Sequence, residues 1–103
     1  MKTKVVAMCG SLQFLDKIQE MAERLEIEKG YAVITLLPHV IGRNLTAEEA
    51  KMLGELHLRK IDLCDAIYVV NVNGYIGEAV KREIAYAREK DKEILYFEEK
   101  TSK

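Results

Sequence analysis

Hydrophobic and polar positions fall into blocks of two kinds along the chain, short β-branched runs and longer stretches with helical spacing. Lys4 to Cys9 (KVVAMC) is an apolar run closed by Gly10-Ser11, the pattern of a buried strand. Phe14, Ile18, Met21 and Leu25 then recur on one helical stripe, and Gly30 is placed to stop that helix. Tyr31 to Leu37 (YAVITLL) predicts a second strand, ended by Pro38, with an aperiodic loop over 38–45. Thr46 and Glu49 match a capping box, opening a helix to about Asp62 with Leu53, Leu56 and Ile61 toward the core. Ala66 to Val72 (AIYVVNV) is the most hydrophobic run and belongs at the centre of a sheet. Asn73-Gly74 opens a turn, and a third helix over 78–90 turns Val80, Ile84 and Ala87 inward. Glu93 to Glu98 (EILYFE) is the last strand, and residues 98–103 form a frayed tail.

Strands alternating with helices imply right-handed crossovers and a parallel sheet. The expected fold is α/β: one doubly wound, Rossmann-like (flavodoxin-like) three-layer domain over 1–103, its four strands in the order 2-1-3-4. In such sheets ligands bind beyond the carboxyl ends of the strands, where the strand order reverses. That rule selects two loops, Cys9 to Leu12 and Asn71 to Gly77, before any motif is read.

Composition narrows the function. The chain has 103 residues with 16 Lys+Arg against 17 Asp+Glu, so neither a nucleic-acid polymer nor an anionic membrane is expected as a partner. Val5 to Cys9 is too short for the apolar segment of a signal peptide, and no run approaches a membrane span. Two cysteines, Cys9 and Cys64, are too few for a disulfide scaffold. A small, reduced, cytoplasmic protein is the expectation.

The two loops carry the candidate chemistry. Gly10-Ser11, a helix start with a hydroxyl, is a possible anion site and equally ordinary turn chemistry. Bulky residues follow in Leu12, Gln13 and Phe14, so neither a dinucleotide fingerprint nor a P-loop is present. Cys9 sits where a helix start lowers a thiol pKa. A cysteine phosphatase would need an arginine where Leu15 stands, and a phosphocysteine carrier would want smaller residues after the thiol. The plainer reading of Cys9 is a small buried hydrophobe. Asp65, before the third strand, reads as a cap or turn residue. Tyr75 offers a ring to stack on a base, or simply faces solvent.

The third helix holds the more informative carboxylate. Glu78 has Lys81 and Arg82 at i+3 and i+4 and is explained as a surface pair. Glu83 has no cation at those spacings and lies at the edge of the buried stripe, where a carboxylate is either paired at a distance or employed. His57 lies near the apolar face of the second helix, where a histidine is ordinarily a hydrogen-bonded core residue. No second histidine stands at metal spacing, since His39 is in another loop, so no zinc site and no cofactor are expected.

Three segments together resemble the nucleoside 2-deoxyribosyltransferase superfamily, which includes nucleoside monophosphate N-glycosidases. They are Cys9-Gly10-Ser11, the stretch Lys60-Ile61-Asp62-Leu63-Cys64-Asp65, and Gly74-Tyr75-Ile76-Gly77-Glu78 leading to Glu83-Ile84-Ala85-Tyr86-Ala87. The resemblance implies that Glu83 attacks C1′ of the sugar and that Gly10 and Ser11 hold a phosphate or the sugar. It implies a small-molecule nucleoside or nucleotide as substrate, with Asn71, Asn73, Gly74 and Tyr75 lining the cleft, in a homo-oligomer. The chain departs from the pattern at His57, where the family has an aspartate, and at Gly77, where it has serine or aspartate. Val80, Lys81 and Arg82 replace the small residues that usually precede the nucleophile. His57 then stands as the candidate acid/base. The alternatives are a non-catalytic nucleotide-sensing module and a phosphocysteine carrier using Cys9.

Overall fold

A computed structural model describes residues 2–35 and 44–99. The end of the expected second strand, the loop with Pro38 and His39, and the tail from 100 lie outside the described residues. Four strands, β1 (Val5–Cys9), β2 (Ala32–Ile34), β3 (Ala66–Val69) and β4 (Glu93–Tyr96), form one parallel sheet in the order β2-β1-β3-β4. Three α-helices alternate with them: α1 (Leu15–Arg24), α2 (Ala47–Asp62) and α3 (Glu78–Glu89). Cys9 pairs with Val69 at the carboxyl end of the two central strands.

Alternate residues of the central strands pack into two cores. Val6, Met8, Ala66, Tyr68 and Val70 face α1, meeting Ile18, Met21 and Leu25. Ala7, Cys9, Ile67 and Val69 face α2 and α3, meeting Ile61, Val80, Ile84 and Ala87. The sheet is thus the middle layer of three. No described helix is long and apolar enough to cross a membrane.

Local chemistry sets the element ends. A 3-10 turn, Leu12–Phe14, precedes α1, and a π-helical turn, Leu25–Lys29, follows it. Gly30 ends that turn at φ 71°, a left-handed conformation that costs glycine nothing. The Thr46–Glu49 capping box is formed, with Glu49 N–H donating to Thr46 Oγ1 at 3.0 Å and Thr46 N–H to Glu49 Oε1 at 3.0 Å. Asp65 holds a strand start in place of a turn, its carboxylate accepting from Val5 N–H at 2.8 Å.

Two expectations need correction. Leu56 is not in the core; it is 46% exposed, and the inward positions of α2 are taken by His57 and Ile61. One residue along a helix is a rotation of about 100°, so seating His57 under the sheet carries Leu56 outward. Glu98 is not frayed. Its N–H donates to Asn71 Oδ1 at 2.8 Å and its carbonyl accepts from Asn71 Nδ2 at 3.0 Å, which extends the β3–β4 pairing beyond the last ladder residues.

Candidate functional site

Cys9, His57 and Glu83 converge at the carboxyl end of β1, one from each of three elements. Cys9 is the last strand residue, and alternation points it away from α1 into the α2–α3 layer. His57 comes from the third turn of α2, and Glu83 from the second turn of α3. Cys9 Sγ lies 3.5 Å from His57 Nε2, and Glu83 Oε1 lies 3.7 Å from that same nitrogen. The three donor atoms all fall within 4.8 Å of one another.

Burial dominates the electrostatics. Cys9 is wholly buried and His57 is 6% exposed, while the Glu83 side chain keeps 17% of its surface in solvent. Desolvation disfavours every charged form here, so it lifts both acids and depresses the base. Glu83 is pushed up to about 7, chiefly by burial, against smaller opposing effects of a hydrogen bond from Cys9 and of Arg82. His57 is lowered to about 4 by burial and by Lys60, opposed by a backbone hydrogen bond to Met8. The Cys9 thiol is driven well above its usual range by burial, with the nearby Glu83 carboxylate adding to the effect. Among the described residues no lysine or arginine forms an ion pair with Glu83. The neutral imidazole is therefore its nearest basic neighbour, and the carboxyl sits above the imidazole in pKa, the reverse of their order in water.

The other expected residues are distributed around the two strand-end loops. Gly10 serves packing: a Cβ there would stand 3.0 Å from Ile18 Cδ1 and 3.3 Å from Val70 Cβ, so its absence lets α1 close on the sheet. The Ser11 hydroxyl caps the 3-10 turn, accepting from Gln13 N–H at 3.4 Å and Gln13 Nε2 at 3.2 Å. Asn71 is buried, and both ends of its amide are taken by the Glu98 backbone, which makes it a brace of the β3–β4 edge. Asn73 and Gly74 form a left-handed pair at φ 56° and 77°, and Asn73 N–H donates to the Glu98 carboxylate at 2.9 Å. Tyr75 is half exposed and meets Phe14 edge to face, centroids 5.9 Å apart, so the two loops touch through these rings. Gly77 lies against the Tyr75 hydroxyl, where a Cβ would come within 3.2 Å.

Cys9 acquires a different meaning from this geometry. A thiol with no exposed surface and a raised pKa is a poor nucleophile toward an outside phosphoryl donor, which disfavours the carrier reading. Its single S–H instead faces two acceptors, the imidazole Nε2 and the carboxylate of Glu83. Cys64, also a free buried thiol, donates to the Lys60 carbonyl at 3.2 Å. A hollow between α1 and β2, lined by Gln19, Ala22, Glu23, Glu26, Val33 and Thr35, contains none of the expected site residues.

No known family model matches the sequence, and no curated protein does either.

Proposed function

We propose that this chain cleaves or exchanges the N-glycosidic bond of a nucleoside or nucleotide, with Glu83 as the nucleophile and His57 as its proton-transfer partner. The observation that carries the reading is a mostly buried carboxylate, without a cationic partner among the described residues, held beside a neutral imidazole at the switch point of the sheet. Glu83 is also the residue that the motif resemblance selects.

In this reading the ionised Glu83 attacks C1′, and the bond to the base breaks as the departing base takes up a proton from solvent water. A glycosyl ester on Glu83 results. A water molecule, losing its proton to His57, or an incoming base then displaces the carboxylate. The lack of a lysine or arginine ion pair on Glu83 among the described residues supports this role, since a carboxylate bound in such a salt bridge would have to break that pair before attacking. The metal-free scheme needs no redox cofactor.

The test is incubation of the purified chain with a panel of nucleosides and their 5′-monophosphates, watching for free base. Glu83→Gln keeps the shape and removes the charge, so base release should fall by orders of magnitude while nucleotide binding survives. Unchanged release in Glu83→Gln would overturn the assignment. Nucleotide binding without release in the unmodified protein would favour the sensing module instead.

A further inference from the structure

Cys9, His57 and Glu83 bring three lone-pair-bearing atoms within 4.8 Å of one another, and we propose that they form a binding site for a single zinc-class divalent cation. Geometry and donor chemistry carry the proposal, and no step of it uses the glycosidic reading. Around a tetrahedral zinc, with Zn–S of about 2.3 Å and Zn–N or Zn–O of about 2.0–2.1 Å, sulfur and nitrogen lie about 3.6 Å apart and nitrogen and oxygen about 3.4 Å apart. The observed separations are 3.5 Å for Cys9 Sγ to His57 Nε2 and 3.7 Å for His57 Nε2 to Glu83 Oε1. The first already matches. The second closes by a few tenths of an ångström through the side-chain torsions of Glu83, the most exposed of the three.

The same 3.7 Å is too long for a charge-assisted hydrogen bond, which would draw nitrogen and oxygen to about 2.7–2.9 Å. The two groups are spaced as neighbours on an ion are spaced. Charge agrees with this. A thiolate and a carboxylate carry two negative charges and a neutral imidazole none, so a dication leaves a neutral assembly in a place that penalises any net charge. The imidazole donates a hydrogen bond to the Met8 backbone while Nε2 faces the site, the second-shell arrangement of a ligating histidine. Around Cys9 the packing is apolar, including Ile61, Val69, Val80 and Ile84. Thiolate with imidazole selects zinc or cobalt over magnesium or calcium. Three protein ligands leave a fourth position for water or a ligand atom. A bound ion takes the Glu83 oxygen that would attack a sugar, so metal and glycosyl ester exclude one another.

The chelator-stripped full-length chain is titrated with Co²⁺, without any nucleoside, and then with Zn²⁺. The expected result is one equivalent per chain, a thiolate-to-cobalt charge-transfer band with the intense visible bands of four-coordinate cobalt, and displacement of both by zinc. Cys9→Ala should abolish the charge-transfer band and weaken binding by at least about tenfold, and His57→Gln should weaken it similarly. Cys64→Ala should change neither, since that thiol is committed to the Lys60 carbonyl. The absence of the band in the unmodified chain would overturn the proposal whatever the variants do, as would a band lost with Cys64→Ala and kept with Cys9→Ala. Because the spectrum needs no fold-compromising variant and no substrate, failure here leaves base release untouched, and failure of base release leaves the spectrum untouched.

Discussion

Substituting Glu83 by glutamine makes a pH-dependent prediction about stability whose sign follows from the site. In the unfolded chain Glu83 titrates at an ordinary 4.5, and in the folded metal-free protein at about 7. Between those values the folded state holds a proton that the unfolded state has lost, so stability falls as pH rises through this window. A separation of about 2.5 pH units at about 1.4 kcal/mol per unit corresponds to roughly 3 kcal/mol, the cost of carrying the buried charge at pH 8. His57 has the opposite linkage. Its folded pKa of about 4 lies below the ordinary 6.5, so the unfolded state binds the extra proton and stability rises with pH between the two. The two contributions oppose one another between about pH 4.5 and 6.5, and their sum there is nearly flat. Glu83→Gln removes one of them. Relative to the unmodified protein it should gain roughly 2–3 kcal/mol between pH 4.5 and 8, a relative rise of roughly 10–20 °C in Tm for a domain of this size. Paired thermal or urea melts at pH 4.5, 6 and 8 in the presence of chelator measure the difference directly, and groups common to both proteins cancel. A stability difference that stays constant across this range, or that turns against glutamine as pH rises, would show that the Glu83 carboxylate is not held in the desolvated setting described.

Two further outcomes test the frame around the site. Gly10→Ala should destabilise the fold by about 1–3 kcal/mol by urea titration, because its methyl would meet Ile18 at 3.0 Å and Val70 at 3.3 Å in the packed α1 core; an unchanged midpoint would mean that α1 can shift at no cost. Met52, Leu56 and Leu63 share one exposed stripe on α2 and its end, at 53%, 46% and 74% exposure, and this is the face tested for the expected homo-oligomer. Light scattering should give at least twice 11.8 kDa, with Leu56→Glu shifting the population to monomer, and a monomer at all working concentrations would refute this.

Element order and sheet topology were legible in the sequence because they rest on local regularities. Apolar runs and helical stripes alternate, and the handedness of βαβ crossovers leaves few ways to join four parallel strands. The capping box at Thr46 and the stop at Gly30 are likewise contained within a few neighbouring residues. Local angles carried part of the site too: they put His57 near the apolar face of its helix and Glu83, without a helix partner, at the edge of a buried stripe. They could not resolve Leu56 from His57, since choosing between adjacent helix positions takes knowledge of what the helix packs against. Asn71 shows a second limit. Its place at the end of β3 is legible in the sequence, but a buried amide takes whichever backbone groups the fold brings to it, here those of Glu98. Cys9, His57 and Glu83 show the largest one. Cys9 and His57 are 48 residues apart, and the three side chains come from a strand and two helices, a spacing that no metal-motif pattern reads. Strand alternation turns Cys9 off the α1 face, but only the crossover of α2 and α3 onto the opposite face of the sheet makes thiol, imidazole and carboxylate neighbours. The displaced pKa values come from the same packing, because desolvation belongs to the assembled layers and is absent from any one segment.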